Sequence, residues 1–215
     1  MIKPWESFDK FAEDYDFWYE KYDSAYKSEL LALKEFLPEN LENLRTLEIG
    51  TGTGRFAASM GISLGLEPSK AMAKIAKKRE IETLLGVAEF LPFKKEKFDL
   101  ILIVTALEFF KDPLQALNEA KRVLKPGGHL IAGISDKNIR QKYYLGSEVK
   151  EHRFSSGAHF LSVSELLDYF LKSEFEKPEI CQTLFNKPEK ITEVEIPEKG
   201  FGKGIFVVLF VKKPL

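Results

Sequence analysis

The chain has 215 residues, 44% of them hydrophobic, and its 32 Lys and Arg almost balance 33 Asp and Glu, which fits one domain and disfavours a nucleic-acid or other polyanionic partner. A lone Cys181 excludes an intrachain disulfide, and three scattered histidines supply no ligand set, so no metal is expected. Apolar runs such as residues 100–107 fall short of the ~20 residues a membrane span needs, and charges stand where a signal peptide would be apolar; a soluble, cytoplasmic monomer or homodimer is expected.

Residues 5–37 place Trp5, Phe8, Phe11, Tyr15, Trp18, Tyr19 and Tyr22 three and four apart among acids and lysines, which predicts an amphipathic helix ending near Pro38. From Arg45 short apolar runs alternate with helical stretches. The pattern predicts a strand at 46–49, a helix at 55–60, a strand at 62–66 and a helix at 69–79 with Ser69 as its cap. Strands at 82–86 and 98–104, a helix at 113–124 and a strand at 129–134 follow. The unbroken Leu100-Ile-Leu-Ile-Val104 run suits a strand covered on both faces, hence a parallel sheet between helices. Lys125-Pro-Gly-Gly128 stops the helix before it. Beyond Asp136 the rhythm is lost until Ser162, where Ser162-Val-Ser-Glu165 reads as a capping box for a helix to about Lys172. Strands at 180–185 and 205–211 close the order.

The sharpest local signal is Leu47-Glu-Ile-Gly50-Thr-Gly52-Thr-Gly54-Arg55, where a buried strand meets a helix. A dinucleotide-binding turn would set its third glycine at position 55, which is Arg. The tighter spacing suits a ligand without phosphate lying on bare backbone, and Glu48 beside it suits a cation. Glu67, nineteen positions after Glu48 and at the end of the second strand, stands where such sheets hold an acid for the two ribose hydroxyls.

These residues resemble the class I S-adenosylmethionine-dependent methyltransferases. Glu48 to Gly54 looks like the family's first motif and Glu67 like its ribose acid. Gly86-Val-Ala-Glu-Phe-Leu-Pro-Phe93 is similar to the adenine loop, and residues 98–108 and 120–128 to the fourth-strand motif and the following corner. The resemblance implies a doubly wound α/β domain with a mostly parallel seven-stranded sheet, its final strand antiparallel. The chain is expected to divide into a helical lid at 1–40, a cofactor core at 41–135, an insert at 136–160 capping the acceptor site, and a closing helix and strand pair at 161–215. The resemblance also implies S-adenosyl-L-methionine as cofactor, S-adenosyl-L-homocysteine as product and a small-molecule acceptor methylated on nitrogen or oxygen. The family's usual Asp is Val87 here, so adenine recognition passes to the backbone of Ala88, to Glu89 or to water, with Val87, Pro68 and Met72 as apolar walls. Val87 packing a strand end is the alternative.

Cofactor contacts are thus expected from Glu48, Gly50, Thr51, Gly52, Gly54, Glu67, Pro68, Met72, Val87, Ala88, Glu89 and Thr105, with Tyr15 and Trp18 from the lid. Tyr15, Trp18 and Tyr19 read equally as a lid over the sulfonium and as core. Methyl transfer can run on positioning alone. Glu108 and His159 are the candidate proton acceptors, each also readable as structural or solvated; His152 is a weaker candidate, and a nucleophilic Cys181 is disfavoured. Arg55 is expected in a surface ion pair, and Tyr143, Tyr144, Phe154 and Phe160 of the insert around the acceptor. A non-catalytic S-adenosylmethionine or nucleoside sensor, and a nicotinamide-dependent oxidoreductase, are the alternative functions.

Overall fold

The computed structural model describes residues 5–144 and 157–215. Eight strands form one sheet in the order β3-β2-β1-β4-β5-β8-β6-β7. They are β1 Thr46–Ile49, β2 Leu64–Glu67, β3 Glu82–Leu85, β4 Phe98–Val104, β5 Leu124–Ser135, β6 Glu179–Thr183, β7 Glu198–Lys199 and β8 Phe206–Lys212. The first five pair in parallel, while β8 lies antiparallel between β5 and β6, as expected of the final strand. The eighth strand is a correction to the seven expected. β7 is two exposed residues paired to Cys181 and Gln182, too short and too polar to leave an alternation in the sequence.

The buried strands sort their residues by parity. Leu47, Ile49, Ile101, Ile103, Leu130, Ala132, Val207 and Leu209 face one layer, which holds α5 (Pro113–Val123) and α7 (Val163–Lys172). Leu100, Leu102, Val104, Ile131, Phe206 and Val208 face the other, formed by α2 (Asp23–Lys34), α3 (Arg55–Met60) and Ala76 of α4 (Lys70–Lys78). Residues 100–103 are fully buried, worth roughly 1.5–3 kcal/mol for each large side chain. Ser69 caps α4 by accepting from the Met72 amide, and the capping box at Ser162 and Glu165 opens α7 as predicted.

Three boundaries differ from expectation. The helix predicted over 5–37 is two, α1 (Glu6–Lys21) and α2, broken at Tyr22 (φ −114°, ψ 50°) and kinked at Phe11 within α1. The break lets α1 lie over α4 with its aromatic face inward while the small Ala25 and Ala32 of α2 seat against the sheet. β5 begins at Leu124, before the Pro-Gly-Gly corner: Leu124 pairs with Phe98 and His129 with Leu100, so residues 125–128 loop out as a bulge within the strand. The region after Asp136 opens with a helix, α6 (Lys137–Tyr144), which its polar composition hides.

Strand order reverses at β1, whose neighbours are β2 on one side and β4 on the other. That reversal leaves a crevice beyond the carboxyl ends of β1 and β4, the place where open α/β sheets bind ligands.

Candidate functional site

The crevice begins at the glycine turn. The Gly50 and Thr51 amides both donate to the Leu66 carbonyl, at 2.8 and 3.1 Å, tying the turn to β2. A Cβ on Gly50 would sit 2.5 Å from Cβ of Ala106, so only glycine lets the ends of β1 and β4 meet. Gly52 (φ 54°) is different. A Cβ there would meet nothing nearer than the Tyr15 ring at 4.0 Å and would project into the open crevice. Gly54 starts α3 and packs on Ala76; it does not line the crevice, so the contact expected of it is replaced by a packing role.

Glu67 and Glu48 hold this turn from two sides. Glu67 Oε2 accepts from the Gly52 amide at 2.9 Å and Oε1 from the Ser69 amide at 2.8 Å. Burial pushes its carboxyl up to about 7, against the pull of those two amides. Each oxygen keeps lone-pair capacity for a further donor. Glu48 Oε2 accepts from the Thr51 hydroxyl at 2.6 Å and from the Ala57 amide in the first turn of α3 at 3.1 Å. Burial raises its carboxyl to about 8, so near neutral pH its role is to fasten the turn more than to attract a cation.

A cavity of about 220 Å³ extends from this turn. Glu48, Gly50, Thr51, Gly52, Glu67, Pro68, Met72, Val87, Ala88, Glu89, Thr105 and Tyr15 line it, together with Phe8 and Tyr19. Thus all but Gly54 and Trp18 of the residues expected at the cofactor come together. One Glu89 oxygen accepts from the Lys111 and Asp112 amides at 2.7 and 3.2 Å, which fixes the loop before α5. The α1 aromatics are both wall and core: Tyr15 and Tyr19 meet edge to face at 5.3 Å and share a hydroxyl hydrogen bond of 2.7 Å. Arg55 does form an ion pair, but a largely buried one. It clasps Asp16 of α1 through two bonds at 2.8 and 3.0 Å, and Arg79 joins the same carboxylate at 2.8 Å.

A second cavity, of about 150 Å³, adjoins the first and shares Tyr15, Tyr19, Thr105 and Phe109 with it. Thr105, just after β4, has φ 45°, an outlier for a β-branched residue, held by its N–H donating a hydrogen bond to the Gly133 carbonyl at 2.8 Å. Trp18 lines this second cavity and not the first. So do Arg140, Tyr144 and Phe160, the guanidinium lying 4.3 Å from the Phe160 ring centre and 5.0 Å from that of Tyr144. Tyr143 instead donates to the Phe185 carbonyl. Glu108 lines the cavity as a 4% exposed carboxyl whose Oε2 has no hydrogen-bond partner. Burial raises it to about 7, with Arg140 opposing.

Facing it is Glu29 of α2, 5% exposed, also with an unpartnered Oε2, and pushed up to about 8 by burial and then by the charge of Glu108. Sequence reasoning missed Glu29. Its signal was a carboxylate on the same face as Ala25, Tyr26, Ala32 and Leu33, a stripe that is otherwise almost wholly buried and apolar.

His159 lines neither cavity. Its side chain is exposed, and only its backbone amide reaches the site, donating to the Glu108 carbonyl at 2.6 Å; the expectation of a His159 base is corrected accordingly. His152 and Phe154 lie outside the described residues. Cys181 is buried, its thiol pushed up to about 12 and directed at the Ala32 carbonyl, which suits no nucleophile. Among the described residues no cluster of potential metal ligands occurs, and no helix is long and apolar enough to cross a membrane.

A doubly wound sheet with a glycine turn after β1, a buried acid at the end of β2 and two adjoining cavities beyond the strand ends is the arrangement of a methyltransferase domain. Residues 47–132 match the methyltransferase domain family. A SAM-dependent methyltransferase of Thermotoga maritima, a possible histamine N-methyltransferase, superposes with a TM-score of 0.90 at 44% identity, covering 98% of this chain and 99% of that one. An uncharacterized protein of Methanocaldococcus jannaschii is 42% identical over 206 residues, 96% of this chain and 98% of its own. A ubiquinone biosynthesis O-methyltransferase of Alkalilimnicola ehrlichii is 30% identical over 143 residues, 59% of this chain and 58% of its own. The chain belongs to the class I S-adenosylmethionine-dependent methyltransferase family.

Proposed function

We propose that the chain transfers a methyl group from S-adenosylmethionine to nitrogen or oxygen of a small molecule. The observation that carries this is the meeting of two cavities at Thr105, where Tyr15, Tyr19 and Phe109 wall both. The cofactor supplies a methyl carbon activated by its sulfonium. The residues present fit that group: the open face of Gly52 leaves room that any side chain would fill, and Glu67 has acceptor capacity for two ribose hydroxyls. Val87, Pro68 and Met72 offer apolar contact to the base, with the Ala88 backbone beside them. Tyr15 and Tyr19 keep water from the junction and bring ring π-density toward a positive centre. Thr105, strained at the junction, orients the meeting point of the two ligands.

The Thermotoga relative, as a possible histamine N-methyltransferase, favours nitrogen as acceptor, and the Alkalilimnicola relative favours oxygen. A panel of amines, including histamine, and of phenols, assayed for S-adenosylhomocysteine, tests the reading. Turnover with any member supports it. Tight S-adenosylmethionine binding with no transfer to the whole panel favours a sensor instead, and retention of NAD in its place would favour an oxidoreductase.

A further inference from the structure

The second cavity carries a charge imbalance that its own residues leave unresolved. Among the described residues its charged side chains are Glu29, Glu108, Glu189 and Arg140. Arg140 acts on Glu108, while Glu29 feels no cation and is opposed by Glu108. Two carboxyls more than nine-tenths buried, each with an orphaned oxygen, are costly unless a partner completes them. A neutral alcohol or phenol brings a single O–H, which can satisfy only one of the two, and a phenol would have to develop its oxyanion beside both carboxyls. A protonated amine resolves all of this: its N–H groups fill the empty acceptor positions, its charge offsets the pair, and Trp18, Tyr19 and Phe160 supply rings for its cationic and apolar parts.

Resting on the methyl-transfer reading above, we infer that the acceptor is a small cationic amine, anchored by Glu29 and deprotonated by Glu108. Glu29 holds the ammonium in register with the junction at Thr105. Glu108 takes one proton from the nitrogen and so becomes a neutral carboxylic acid, which frees the nitrogen lone pair. That pair forms the bond to the methyl carbon as the methyl–sulfur bond breaks, the bonding electrons staying on sulfur. The product leaves as an N-methylammonium ion, and Glu108 returns its proton to water. Glu29 is the specificity residue of this scheme, and Glu108 the catalytic one.

The test uses the full chain saturated with S-adenosylhomocysteine, with 2-phenylethylamine and its neutral isostere 2-phenylethanol as probes in titration calorimetry. The expected result is at least about tenfold tighter binding of the amine, a gap of about 1.4 kcal/mol. Glu29→Gln erases that preference while S-adenosylhomocysteine affinity stays unchanged. Glu108→Gln lowers the rate of amine methylation more than amine affinity. Equal binding of amine and alcohol by the unaltered chain overturns the inference and needs no variant to fold. Binding of neither probe overturns it as well, as does a Glu29→Gln protein that keeps the preference. Failure of S-adenosylhomocysteine itself to bind overturns the methyl-transfer reading beneath it, a separate outcome.

Discussion

The two cavities are built from different kinds of sequence. The first is walled by loops at the ends of β1, β2, β3 and β4, within residues 48–111, with only α1 added from outside. The second draws on α1, α2, the end of β4, α6 and the segments around residues 184–189 and 205–206. One is local geometry repeated along the chain; the other exists only after distant elements pack. That difference decides what each can tolerate. A glycine turn has one permitted backbone and fails when it is altered, whereas a cavity made of side chains on packed helices changes its preference before it loses its fold.

The strongest way to break the contrast is Gly52→Val. Its φ of 54° is strained for a β-branched residue, and the added methyls enter the crevice. S-adenosylhomocysteine affinity should fall by at least about 100-fold, near 2.7 kcal/mol, by calorimetry on protein shown to be folded. Normal affinity would mean that the ligand lies elsewhere. Glu67→Ala comes next. It removes a charged acceptor and frees the Gly52 and Ser69 amides, and cofactor binding should weaken by about 1–3 kcal/mol. Unchanged affinity would strip Glu67 of its ribose role.

Legibility in the sequence follows the same division. The strand–turn–helix rhythm from Thr46 to Val123 was readable because apolar runs, glycines and caps are set by neighbours within a few residues. Val87, Pro68 and Met72 reach the cavity for the same reason: once Glu67 ends β2 and Gly86 follows β3, their loops must lie at one edge of the sheet. Glu29 was hidden because a carboxylate amid an amphipathic helix normally faces water, and only the seating of α2 against β6 and β8 buries it. The break at Tyr22 was equally silent, since no Pro or Gly marks it; tertiary contact sets it. His159 misled because a histidine in a segment without rhythm carries no directional information, and the chain turned its backbone, not its ring, toward Glu108.

Glu29 also gives the second cavity a pH signature. With a folded value near 8 against roughly 4.3 in the unfolded chain, the native state holds a proton there that the unfolded state has released. Raising pH from about 6 to 8 therefore costs stability. Glu29→Gln cannot ionise, so its advantage over the unaltered chain should grow over that window, by about 2 kcal/mol, in urea unfolding without ligand. A difference that is flat with pH would show that Glu29 ionises near its ordinary value in the native state, and so is solvated or paired instead of buried without a partner.

The smallest effect concerns the wall the two cavities share. Asp16 is the only acid that both Arg55 and Arg79 reach among the described ion pairs, and it fastens α1 to α3 and to the end of α4. Burial pushes its carboxyl upward, but bonds from Arg55, Thr53 and Arg79 outweigh this and hold it below the usual range. Asp16→Ala leaves Arg55 bonded to Glu20 and Arg79 to the Thr53 carbonyl, so its cost should be only about 1 kcal/mol. The placement of α1 should suffer more than the fold, because Tyr15 and Tyr19 stand on the same helix within a turn of Asp16. Hydrogen exchange should quicken along α1 while β1 and β4 keep their protection. The first cavity retains the glycine turn and Glu67 without α1; the second loses Tyr15, Trp18 and Tyr19 together. Acceptor affinity should therefore fall several-fold further than cofactor affinity, and equal losses in both would show that α1 serves the two cavities alike.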